Sequence, residues 1–152
     1  MKPIRNSAKA VIVQNGRLLV IRLEDQYGAA YVFPGGGQEK GEELKDAVAR
    51  ECLEEIGQAV TVGELLHIRE YIGKNHEFAE WDADIHQVEF YFECSLNDAS
   101  ATVFEGSNPD DYQVAVEWIA LEGLPSVRLY PQTIGELLLK REPSRIYLGD
   151  MN

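Results

Sequence analysis

Between Phe33 and Val60 the chain reads FPGGGQEKGEELKDAVARECLEEIGQAV, and this stretch constrains the fold more than any other. Pro34 and the three glycines behind it stop the short strand YVF. A helical pattern then runs from Glu42 to Ile56, with Gly57 placed as its C-terminal stop. At about 100° per residue, Leu44, Val48, Cys52 and Ile56 descend one apolar stripe with Ala47 beside it. Glu51 and Glu55 fall within roughly 20° either side of Leu44 on the same projection, at the edge of that stripe. Glu54 neighbours Glu51 at i+3, and Glu55 follows at i+4, so the three side chains are expected to converge.

That placement is unusual for surface acids. Three carboxylates at a partly buried edge repel one another and lose hydration. A hard divalent cation resolves the conflict, because Mg²⁺ takes oxygen ligands and keeps water and substrate phosphate oxygens in its shell. Arg50 points to another side of the helix and reads as an i+4 ion pair with Glu54, fixing a carboxylate's direction. Gly35, Gly36 and Gly37 let backbone come close to a metal or a phosphate.

The remaining composition narrows the function. Net charge is −12 over 152 residues, which argues against a nucleic-acid polymer or an anionic membrane as partner. Small phosphate ligands stay possible only if a cation intervenes. The two cysteines, Cys52 and Cys94, are too few for a zinc site and read as small buried hydrophobes in a reducing compartment. No apolar run is long enough for a transmembrane helix, and the first residues lack a signal-peptide pattern, so a cytoplasmic protein is expected.

Along the chain, Ala8–Val13 and Arg17–Leu23 read as strands joined by Asn15-Gly16, a hairpin signal. Further strands are expected at about Val60–Tyr71, Gln87–Cys94 and Gln113–Ile119, and a last helix at about Pro131–Arg141. Residues 73–86 form a long polar loop carrying Trp81. Turns around a brief strand are expected between Leu96 and Asp111. Strands interleaved with two helices imply one α/β layered domain spanning residues 1–152.

Gly36, five residues, Glu42, seven residues, then Arg50-Glu51-Cys52-Leu53-Glu54-Glu55-Ile56-Gly57 resembles the Nudix box, the signature of the Nudix hydrolases. Every fixed-identity position is present; the hydrophobic residue that should follow the last glycine is Gln58. The resemblance implies an α/β/α sandwich with a mixed β-sheet. It implies Mg²⁺- or Mn²⁺-dependent hydrolysis of a pyrophosphate bond in a nucleoside diphosphate linked to another moiety, such as a nucleoside triphosphate or ADP-ribose. Glu51, Glu54 and Glu55 match the family's metal-ligand positions, and a carbonyl at Gly35 or Gly36 completes the site. Glu42 and Arg50 match positions that buttress the loop and helix. The family contains many dimers, so a homodimer is an open expectation.

The general base is less determined. Glu51 is favoured, with Asp110, Asp111, Glu77, Glu80, Asp82 and Asp84 as candidates outside the box. Trp81, Tyr31 and Asp111 are the candidate substrate contacts, Trp81 foremost because a tryptophan among loop acids has little reason to be core. His67, His76 and His86 lack metal-ligand spacing. Two other readings share the motif: a catalytically silent nucleotide sensor, and an isomerase acting on a prenyl diphosphate, which would want a cysteine in the pocket.

Overall fold

The computed structural model describes residues 2–106, 113–141 and 145–152. Asn15 and Gly16 take positive φ values of 53° and 74°, as a tight turn between right-twisted strands requires. They join β1 (Arg5–Gln14) to β2 (Arg17–Asp25). The hairpin is brief: Val13 opposes Leu18 and Gln14 opposes Arg17, and then the strands part. β2 continues with β3 (Gly28–Val32). On the β1 edge that β2 has left lies β4 (Gly35–Gly37), with Ala8 opposite Gly36 and Lys9 opposite Gly35. This fork is where the glycine run belongs, since a side chain there would meet packed neighbours.

After β4 come α1 (Leu44–Ile56), β5 (Val60–Ile72) and a 3₁₀ turn at Gly73–Asn75. The one-turn α2 (Ala79–Asp82) and β6 (His86–Leu96) follow. β7 (Gln113–Ala120), β8 (Leu129–Tyr130), α3 (Gln132–Lys140) and β9 (Tyr147–Asp150) complete the described elements. The sheet order is β8-β3-β2-β1-β6-β5-β9, with β4 added to β1 and β7 to β2. β1 and β6 run parallel, as do β5 with β9 and β3 with β8, while the other pairs are antiparallel. The sheet is therefore mixed.

Strand periodicity divides the core in two. Ala8, Ala10, Ile12, Leu19 and Ile21 pack with Ala47, Val48, Cys52 and Ile56 of α1. Val11, Leu18, Val20, Phe33 and Tyr91 pack with Leu124 and with Ile134 of α3 on the other side. Alternate residues of β1 and β2 thus serve opposite layers, which makes the α/β/α sandwich that the sequence leads one to expect.

The short strands β4, β8 and β9 are absent from the sequence reading, and three further details differ from it. The helix begins at Leu44 rather than Glu42, because Glu42 turns its carboxylate back to accept the Glu39 N–H at 2.8 Å. The polar stretch 73–86 is folded into the 3₁₀ turn and α2 rather than left as plain loop. No strand forms within 97–106; Asp98 binds Ser100 there and Gln58 Nε2 donates to the Val103 carbonyl at 2.9 Å. The residue that departs from the expected hydrophobic thus ties that segment to the end of α1. Among the described residues no helix is long and apolar enough to cross a membrane.

Candidate active site

α1 stops where its sequence says it should: Gly57 adopts φ 69° and its N–H returns to the Cys52 carbonyl. The final two turns therefore hold Glu51, Glu54 and Glu55 in fixed directions beside the glycine strand. Arg50 organises the approach to them. Its Nη2 donates to Glu42 Oε1 at 2.7 Å and to the Gly37 carbonyl at 2.9 Å, and its Nε to Glu42 Oε2 at 3.2 Å. The i+4 contact to Glu54 exists, but at 3.3 Å it is the longer one. Arg50 thus ties the loop to the helix more than it orients Glu54, a fork geometry that a lysine could not reproduce. The guanidinium's hydrogen bond holds the Glu42 carboxyl below its ordinary range.

The three glutamates do not converge as their spacing suggests. Arg50 Nη1 lies 3.0 Å from Glu51 Oε1 and 3.3 Å from Glu54 Oε2, so these two carboxylates share one cationic nitrogen. Glu55 turns the other way. It accepts the Gly35 N–H at 2.7 Å on Oε1 and the Gln113 amide on Oε2, and it is 6% exposed. Among the described residues no three His, Cys, Asp or Glu side chains gather into one ligand cluster. Like charges separate: Glu55 takes donors of its own and leaves Glu51 and Glu54 to share Arg50. Burial pushes the Glu55 carboxyl up to about 7, against the lowering influence of Lys9, the Gly35 N–H and Gln113. Burial likewise raises Glu51, with Arg50 opposing it.

The oxygen-only donor set of Glu51 and Glu54 fits a hard divalent cation. Gly36 adds a second sign of fit: a Cβ there would stand 2.6–2.7 Å from the Glu51 carboxylate, so only glycine lets that carboxylate lie against the strand. Gly35 meets the site through its N–H to Glu55.

Two residues beside the site were not singled out from the sequence. Gln113 opens β7 and reaches Glu55 across 58 positions, a contact that only the strand register creates. Lys9 sits opposite Gly35 on β1, where its ammonium acts electrostatically on Glu51, Glu55 and Glu89. Its signal was available: a half-buried lysine in an otherwise apolar strand.

The other candidates lie elsewhere. Tyr31 packs against the α3-side cluster, away from the α1 layer that carries the glutamates. Trp81 is 62% exposed on α2. Asp110 and Asp111 fall outside the described residues. Asp82 accepts the Tyr71 hydroxyl at 2.6 Å, Asp84 accepts the Lys2 backbone N–H at 3.0 Å, and Glu77 accepts the Asn152 amide at 2.5 Å. All three have structural partners. His67 contacts the Arg145 carbonyl, His76 contacts Asp150 and His86 contacts Glu70. Cys52 and Cys94 are free and buried.

Known proteins share this architecture. The chain is 34% identical over 89 residues to nucleoside diphosphate-linked moiety X motif 6 of Xenopus laevis, covering 59% of this chain and 38% of that protein. It therefore spans well under half the length of that relative. A MutT NUDIX hydrolase structure from Burkholderia pseudomallei superposes with TM-score 0.67 at 26% identity, over 88% of this chain and 96% of that one. An ADP-ribose pyrophosphatase structure from Streptococcus suis shares the fold with TM-score 0.65 at 20% identity, over 97% of this chain and 98% of that one. The NUDIX domain model matches residues 3–138, a span that contains the glycine strand, the glutamate helix and the forked sheet around them, and the chain belongs to the Nudix hydrolase family.

Proposed function

We propose that the protein is a pyrophosphohydrolase that uses Mg²⁺ or Mn²⁺ to cleave the phosphoanhydride of a nucleoside diphosphate linked to another moiety. Nudix hydrolases generally use divalent metal ions and act on small nucleotide-type substrates. The observation that carries the reading is the pair Glu51 and Glu54, both within 3.3 Å of Arg50 Nη1, with Glu51 set against Gly36. Two carboxylates brought together on one cationic nitrogen, one of them lying against a glycine, are oxygen donors of the kind a hard divalent cation takes. A divalent cation held by these carboxylates would neutralise pyrophosphate charge and acidify water.

The chain's own residues do the rest. Arg50 keeps the loop closed on the helix through Glu42 and the Gly37 carbonyl. Glu51 accepts the proton of the attacking water at Oε2, the oxygen that takes no hydrogen bond from the described residues. Glu55, with both oxygens engaged, holds Gly35 in place and contributes charge to the site from behind. In-line attack at one phosphorus then expels the other phosphate. The isomerase alternative has no support in the position of Cys52, which is 0% exposed in the α1 core. The free, buried cysteines favour a cytoplasmic setting, and size-exclusion mass tests the homodimer.

EDTA is expected to abolish release of phosphate products from a panel of nucleoside triphosphates, ADP-ribose, dinucleoside polyphosphates and nucleotide sugars, with Mg²⁺ or Mn²⁺ restoring it. Turnover that persists in EDTA contradicts the proposal. A metal-loaded protein inactive on the whole panel favours the sensor reading.

A further inference from the structure

A concave site lies outside the glutamate cluster. Tyr27 from the β2–β3 turn, Phe78 and Trp81 around α2, and Tyr130 of β8 line a cleft of about 490 Å³. That volume lies in the range of roughly 300–1,000 Å³ typical of small-molecule sites. The walls are braced. Arg128 donates to both oxygens of Asp25 at 3.1 and 2.7 Å, and its guanidinium stands 5.9 Å from the Tyr27 ring centre and 5.8 Å from that of Tyr130. Phe78 meets Tyr130 edge-on at 5.9 Å, and Tyr71 fixes Asp82 through its hydroxyl at 2.6 Å. Yet Tyr27 and Trp81 remain 66% and 62% exposed. Aromatic faces are thus held open to water by a framework that does not bury them.

The charge of the lining decides what can enter. Glu24, Asp25 and Asp82 contribute three carboxylates, and among the described residues no Lys or Arg lines the cleft. Arg128, at its edge, is already paired with Asp25. Such a rim repels phosphate, and its three carboxylates, which only accept, outnumber the one amide donor, Gln26, beside them. A planar ring bearing N–H donors satisfies both features, stacking on the aromatics and donating to the carboxylates.

We infer that this cleft binds the base of the nucleotide substrate and prefers bases that carry an exocyclic amino group. The inference rests on the pyrophosphohydrolase reading for there being a nucleotide to bind, but the cleft can be tested alone. The chain has two tryptophans, and Trp118 packs against Phe104 at 6.1 Å, so ligand-dependent emission reports on Trp81. Metal-free protein titrated with phosphate-free nucleosides should show quenching by adenosine and cytidine, with uridine binding about 5-fold or more weakly. Trp81→Phe should abolish the signal, and Tyr27→Leu should weaken adenosine binding by on the order of 10-fold. No quenching, equal quenching by uridine, or quenching that survives Trp81→Phe overturns the assignment, whatever the hydrolysis panel shows. Quenching without hydrolysis of any nucleotide would sink the catalytic reading and leave the cleft standing. An emission change that tracks protein concentration together with a doubled mass makes the cleft a contact between copies, and the inference falls.

Discussion

Glu55 carries the sharpest residue-scale consequence. Its carboxyl is raised by burial from an ordinary 4.5 to about 7. Between those values the folded protein binds more protons than the unfolded chain, so stability falls as pH rises through the window. The loss is on the order of 3 kcal/mol once both states are ionised. Glu55→Gln should remove this slope and raise the stability of metal-free protein at pH 8, measured by denaturant melts across pH 4.5–8. A slope unchanged by the substitution would show that another group is responsible. For activity the same substitution works in the opposite sense: Glu54→Gln and Glu55→Gln should each lower kcat by roughly 10²-fold through lost transition-state charge stabilisation. Near-native kcat in both would remove the glutamates from the site. The identities and spacing of these acids were legible in the sequence because helical geometry is local. Their partners were not, since Gln113 and Lys9 arrive through strand register across the fork.

Among the elements, β4, α2, β8 and β9 are those that sequence periodicity did not reveal, and β9 shows why. It is four residues long and pairs with β5, placing Tyr147 opposite Ile68. Its hold is polar. Asp150 accepts from the Ile72 N–H and the Asn75 amide at 2.9 Å each and contacts His76 at 2.6 Å. Arg69, 5% exposed on β5, donates to the Met151 carbonyl at 2.6 Å and to Glu89 of β6 at 2.7 Å. Glu89 also accepts the Tyr91 hydroxyl at 2.5 Å. Removing one member of such a pair leaves the other charge buried and uncompensated, which costs about 3–5 kcal/mol. Arg69→Met should therefore destabilise the fold by about that amount in a denaturant melt, and Arg69→Met with Glu89→Leu should recover part of it. Equal losses for the single and double variants would mean that β9 docking, not the ion pair, bears the energy. The long strands and α1 were legible because each carries its own apolar period. A four-residue strand held by side-chain carboxylates has no period to read.

At the scale of the molecule, alternation along β1 and β2 feeds two cores, and α1 and α3 cover them. That much of the architecture follows from periodicity; the parting of β1 from β2 does not, because it depends on β4 entering between distant partners. The fork sets the chemistry by bringing the glycine strand under the glutamate helix while both cysteines stay inside the α1 layer. Burial pushes the Cys94 thiol up to about 12 and Cys52 higher still, so neither supplies a thiolate nucleophile. On the proposed reading water is the attacking group, and a divalent cation held by Glu51 and Glu54 would be what brings the pyrophosphate phosphorus within its reach. Hydrolysis in ¹⁸O-enriched water, read by mass spectrometry, should place the label in a phosphate product after a single turnover. Label on a sugar carbon would mean that the bond broken is glycosidic and that the glutamates polarise something other than an anhydride.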